Sequence, residues 1–143
     1  MELVSGAFAA GQPVPRRYSC EREDFSSPLA WSGVPAGTVS FALIVDDPGA
    51  PVGTFAYWLA RSLQDGGLAA DHRAPREVGN DFGEAGYRVR ALRVVTGHTG
   101  TSSAFTRSRG KPTMLAGAGR KKLDRAIEGS IVAVAEFVGT YER

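Results

Sequence analysis

The sequence predicts a single-domain, mostly β protein with one or two short helices. Three observations lead there. The 143 residues include 18 glycines and 8 prolines, which implies many turns and short strands rather than a helical bundle. The clearest apolar runs are short, β-branched and far apart in the chain. Only one stretch, near the C-terminal end, has helical spacing. Hydrophobic residues at 43% and charged residues at 22% are ordinary globular usage, so one core spanning residues 1–143 is expected rather than disorder.

In chain order, residues 1–11 alternate weakly and run into Gly11, Gln12 and Pro13, which reads as an edge strand entering a turn. Residues 12–38, rich in Pro, Gly and Ser, read as a long loop with a short strand at Leu29–Trp31. Val39–Val45 has the β-branched, apolar composition of a buried strand. It stops at Asp46-Asp47-Pro48-Gly49, which is turn chemistry. Thr54–Arg61 is a second strand, with Phe55, Tyr57 and Leu59 on one face and Ala56, Trp58 and Ala60 on the other. Both faces are apolar, so it belongs inside a sheet. Residues 62–87 read as loop. Arg120–Glu128 is helical, with Leu123 and Ile127 four apart, and Gly129 sits where a helix would cap. Ile131–Val138 is a final strand, and no internal repeat is present.

No apolar run approaches the ~20 residues that cross a bilayer, and the N-terminus lacks the pattern of a secretory signal. A cytoplasmic location and no membrane insertion are therefore expected. The single cysteine, Cys20, cannot close an internal disulfide; without a flanking base it reads as a buried structural thiol. His72 and His98, the two histidines, have no metal-ligand spacing around them, so neither a metal nor a cofactor is expected. A Ser-His-Asp hydrolase built from Ser102 or Ser103, His98 and Asp47 lacks the Gly-x-Ser-x-Gly elbow.

The charge is uneven. No Asp or Glu occurs from Ala85 to Leu123, a stretch carrying Arg88, Arg90, Arg93, Arg107, Arg109, Lys111, Arg120, Lys121 and Lys122. Taken literally, the basic stretch 88–111 could contact phosphates. Single-strand recognition would want interleaved aromatics, and only Phe105 is there, so nucleic-acid binding is the weaker alternative. Within 88–111 only Val89–Val95 reads as a strand, and the rest reads as irregular.

Three strings carry a family resemblance: Tyr18-Ser-Cys20; Ser26-Ser-Pro28-Leu-Ala-Trp31-Ser-Gly-Val-Pro35; and Ala42-Leu-Ile-Val-Asp46-Asp-Pro48-Gly-Ala-Pro51-Val-Gly53-Thr-Phe55-Ala-Tyr57-Trp58. Asn80-Asp-Phe-Gly83, Gly86-Tyr87 and the tail from Leu123 to Tyr141 extend it. Together they resemble the phosphatidylethanolamine-binding protein family, in its bacterial and archaeal Raf-kinase-inhibitor-like branch, over about 2–87 and 115–143. The resemblance implies an antiparallel β-sheet sandwich with peripheral helices. It also implies a small surface pocket for anionic groups such as phosphate or phosphoethanolamine, and no catalysis. Some family members inhibit kinases or proteases, so a protein partner of that kind is a further expectation, and a homodimer is allowed.

By that resemblance the pocket is lined by Asp47, Pro51, Phe55 and Tyr57, while Asp46 holds backbone. Two positions depart from the family pattern. Gly49 stands where the family has a second acid, and Tyr57 stands where it has a histidine. A phenol can hydrogen-bond an anion but carries no positive charge at neutral pH.

The family's Gly-Pro-Cys-Pro-Pro loop and His-Arg-Tyr strand, expected after Tyr87, are not present as such. Reading the codons of 88–110 one frame over, with permitted degenerate bases, spells GPCPPRGHGTHRYFFRLYALE. Family sequence resumes near Leu115. The expectation is that residues 88–110 are written out of frame.

Overall fold

The computed structural model describes residues 1–18, 26–48, 54–63, 66–70, 77–81, 83, 98–107 and 119–141. The strands are β1 (Glu2–Ser5), β2 (Leu29–Ser32), β3 (Ser40–Asp47), β4 (Phe55–Leu63), β5 (Gly67–Leu68), β6 (Glu77–Val78), β7 (His98–Arg107) and β8 (Ile131–Tyr141). A 3-10 turn spans Arg16–Tyr18 and helix α1 spans Arg120–Ile127. The strands form a three-stranded sheet ordered β1-β2-β5 and a five-stranded sheet ordered β6-β4-β3-β7-β8, with every strand pair antiparallel.

The two sheets face each other across one core. β2 alternates buried and exposed, sending Leu29 and Trp31 inward. They meet Leu3 and Leu68 of the small sheet and Phe41, Leu43, Trp58, Ala135 and Phe137 of the large one. The opposite face of the large sheet packs on α1: Ala42, Ile44, Ala56 and Leu59 surround Leu123 and Ile127. β3 is buried on both faces because it lies between a sheet and a helix, which explains its nearly continuous apolar run.

Four expectations need correction. Residues 62–87 are not all loop, since β5 and β6 lie within them and pair with β2 and β4. Gly67 permits the β5 approach: a Cβ there would stand 2.3 Å from the Leu29 carbonyl oxygen, on a backbone with φ +135. Residues 98–107 are not irregular but form β7, the strand between β3 and β8. Long-range pairing on both sides outweighs the weak local pattern there. Val89–Val95 lies outside the described residues.

The third correction concerns β4. Its faces do not alternate cleanly, because the ladder pairs Val45 with Trp58 and Asp46 with Ala56. Tyr57 is therefore a bulged residue. Ala56 and Leu59 both join the helix-side core, whereas Trp58 joins the core between the sheets. The fourth is that Asp46 and Asp47 are the last residues of β3 rather than a turn.

The remaining boundaries follow the sequence. α1 ends at Ile127, followed by Gly129 at φ +69. β8 runs to Tyr141, and the N-terminal arm covers the far half of its outer edge. Gly11 N donates to the Val138 carbonyl (2.7 Å), Val14 N to the Thr140 carbonyl (2.8 Å) and Thr140 N to the Gln12 carbonyl (3.1 Å). Phe8 stacks at a tilt on Phe137, with ring centroids 5.2 Å apart.

Candidate functional site at the end of strand β3

The site is assembled where β3 ends and β4 begins. The ladder sets Asp46 opposite Ala56 and Asp47 opposite Phe55. Neighbouring residues on a strand point to opposite faces, so the two aspartates part company. Asp46 continues the row of Ala42 and Ile44 toward the helix, and Asp47 continues the row of Phe41 and Leu43. Asp47 is 1% exposed, the most deeply buried of the described acidic side chains. Phe55 is half-buried beside it. The bulge at Tyr57 follows two residues on. Bulges concentrate beside functional sites because they re-aim a side chain without ending the strand.

Asp81 fixes the start of β4. Its Oδ2 accepts the Ala56 N–H at 2.7 Å, and its own N–H donates to the Ala56 carbonyl at 3.0 Å. This two-point clasp makes a side chain serve as a further strand partner for β4. The neighbouring Asn80 is buried, and its carbonyl accepts the Gly83 N–H (2.9 Å) in a tight turn with Gly83 at φ +80. The Asn80-Asp-Phe-Gly83 string thus positions Ala56 from outside the strand.

Arg120 closes the helix side. Its Nη1 donates to Asp46 Oδ2 at 2.6 Å, and its Nε to Asp124 Oδ1 at 2.8 Å and Oδ2 at 3.1 Å. Asp46 therefore holds a guanidinium rather than backbone, which corrects its expected role. Burial alone would lower the Arg120 pKa, but the bonds to Asp46 and Asp124 outweigh it and hold the group above its ordinary value. Arg120 also sits in the first turn of α1, which has no acidic residue and no side-chain cap. A cation there opposes the helix dipole. The pair with Asp46 is what makes the position tenable.

Of the four expected pocket residues, the structure brings Asp47 and Phe55 together as cross-strand partners and places the Tyr57 backbone at the bulge on the same strand. Pro51 lies outside the described residues, as do Gly49, Cys20, His72, Gly86 and Tyr87. Sequence reading missed the roles of Arg120 and Asp81. The signal for Arg120 was available in its unfavourable place at a helix start, four residues before Asp124. No local pattern marks Asp81 as a strand clasp, because its partner is 25 residues away.

The register also bears on the hydrolase alternative. His98 pairs with Tyr141, while Ser102 and Ser103 stand opposite Val45 and Ile44. At the strand rise, four or five residues span about 13–17 Å, too far for the histidine to reach either serine along the strand. Among the described residues no group of three or more His, Cys, Asp or Glu stands together as metal ligands, and no helix is long and apolar enough to cross a membrane.

Comparison with known proteins agrees with this architecture. A UPF0098 protein of Aquifex aeolicus is 36% identical over 152 aligned positions, covering 100% of this chain and 89% of the relative. The crystal structure of CT736 from Chlamydia trachomatis, described as a putative phosphatidylethanolamine-binding protein homolog, superposes with a TM-score of 0.93. It is 31% identical and covers 99% of this chain and 97% of its own. E. coli YBCL shares the fold at 23% identity, with a TM-score of 0.90 over 99% of this chain and 98% of its own. The family model described as phosphatidylethanolamine-binding protein matches residues 4–142, so with two antiparallel sheets, a peripheral helix and the Asp46-Asp47 strand end in place, the chain belongs to the phosphatidylethanolamine-binding protein family.

Proposed function

We propose that this protein is a non-catalytic binding protein whose β3 end takes a small phosphate-bearing ligand of the phosphoethanolamine type. The family description supports the ligand class. The single observation that carries the reading to this place is Asp47, a fully buried carboxylate at a strand end, facing Phe55 across the ladder and next to a bulge. A buried carboxylate repels a bare phosphate but suits a cationic group. A zwitterion fits both requirements: its ammonium toward Asp47, and its phosphate toward neutral hydrogen-bond donors. Phe55 supplies the apolar contact between the two charges.

Titration calorimetry with O-phosphoethanolamine and with inorganic phosphate tests this. The expected result is saturable binding of phosphoethanolamine, weaker binding of inorganic phosphate, and a tenfold or larger loss of phosphoethanolamine affinity in Asp47→Asn. The ligand should be recovered unchanged after prolonged incubation. Absence of binding by wild-type protein, or equal affinity in Asp47→Asn, removes the proposal.

A further inference from the structure

We infer that residues 88–110 are written out of frame, and that the protein made in its native source carries the adjacent frame, which encodes an inner strand of this sheet. The structural observation is the place of β7. It pairs with β3 along Ser40–Asp46 and with β8 along Ile131–Tyr141, so from Thr101 to Arg107 it has a neighbour on each side. Its rows run between core positions: Ala104 stands between Leu43 and Ala135, and Ser102 between Val45 and Phe137. The β3 residues beside it are nearly all buried. A strand in that place, in a sheet covered on both faces, should be rich in large apolar residues. As written it is His-Thr-Gly-Thr-Ser-Ser-Ala-Phe-Thr-Arg, with Phe105 its only large apolar residue.

The genetic code supplies the missing residues. Each codon of the adjacent frame takes the last base of one written codon and the first two of the next. Two of its three bases are thus largely dictated by the written residues. Between His98 and Arg109 the permitted codons spell HRYFFRLYALE. Three consecutive aromatics then fall between Gly100 and Ser103, level with Ile44 and Val45 of β3. Large apolar residues return to the strand without any change in its length or register. One base lost near Arg88 and one gained between Arg109 and Leu115 suffice.

Three measurements decide it. In the gene, the inference requires Gly100, Thr101 and Ser102 each to use a codon ending in T. With 14 arginines against 3 lysines a GC-rich gene is expected, so written third positions should otherwise end mostly in G or C. Any other base at those three positions overturns the inference. In the protein purified from its native source, a tryptic peptide LYALEGK supports it, and the peptide VVTGHTGTSSAFTR, residues 94–107 as written, overturns it. Thiol titration of the denatured native protein gives an independent count. Two thiols are expected, because the adjacent frame adds a cysteine to Cys20; one thiol overturns the inference.

Discussion

Arg120 and Asp46 are 74 positions apart in sequence and 2.6 Å apart in the fold. That one ion pair ties the first turn of α1 to the end of β3. Their side chains are 31% and 13% exposed, so the pair is neither a surface ornament nor a fully dry contact. Removing the guanidinium leaves Asp46 with a poorly solvated charge, and that penalty exceeds the pair's own attraction.

Arg120→Ala is therefore expected to lower stability by about 1–2 kcal/mol. Asp124→Asn should cost only about 0–0.5 kcal/mol, since Asp124 is half exposed and its i,i+4 pair is screened. Urea unfolding followed by circular dichroism separates the two. An equal loss in both variants would show that the helix pair, not the strand latch, carries the stability. Because the Arg120 pKa is raised, its contribution is complete below the ordinary arginine pKa and would be lost only above it. No pH dependence of the latch from the arginine side is expected across the range in which proteins are handled.

Asp81 should matter to binding without touching ligand. Asp81→Ala removes the acceptor for the Ala56 N–H and is expected to cost about 1–2 kcal/mol. Asp81→Asn keeps an acceptor oxygen and should lose less than half of that. Phosphoethanolamine affinity should follow the same order, because Ala56 lies between Phe55 and the bulge at Tyr57. Calorimetry on both variants checks it. Equal affinities would detach the clasp from the site.

Two glycines should respond differently to alanine. At Gly67 the new Cβ meets backbone, 2.3 Å from the Leu29 oxygen, on a left-handed φ of +135. Nothing there can yield except the β2–β5 pairing, so Gly67→Ala is expected to cost about 2–4 kcal/mol. At Gly139 the new Cβ meets side-chain ends, Phe8 Cε2 at 2.6 Å and Val14 Cγ2 at 2.7 Å. The N-terminal arm can lift, so the cost should be about 1–3 kcal/mol, with faster amide exchange at Gly11 and Val14. Thermal melts and hydrogen exchange test the pair of variants. Protected Gly11 and Val14 amides in Gly139→Ala would show that the arm does not move.

The sheet frame was legible where a β-branched run coincides with a strand. Val39–Val45 and Ile131–Val138 read as strands on composition, although Ile131, Val132 and Val134 stand exposed on β8, and Leu123 and Ile127 read as a helix face because their spacing is helical. β5 and β6 were not legible, since two-residue strands carry no periodicity and depend on partners elsewhere. β7 was missed for the opposite reason: its written residues argue against an inner strand, and pairing from both sides defines it. At the site, Asp47 and Phe55 were legible through the resemblance. Asp81 acts through a contact 25 residues away in sequence, which no local pattern encodes; the partner of Arg120 is 74 residues away, and its only local trace is a cation at a helix start.

The bulge at Tyr57 has a consequence for how this strand can vary. On an ordinary strand, parity is set once and every second residue inherits it. β4 resets its parity level with Asp46, so Ala56 and Leu59, an odd number of residues apart, reach the same core. Phe55 and Ala56 owe their orientation to how many residues precede Trp58, not to which residues they are. Substitution can retune this end of the strand. A one-residue deletion would turn it over, trading the helix side for the sheet side at the place where Asp46 and Asp47 diverge. The site is fixed by counting.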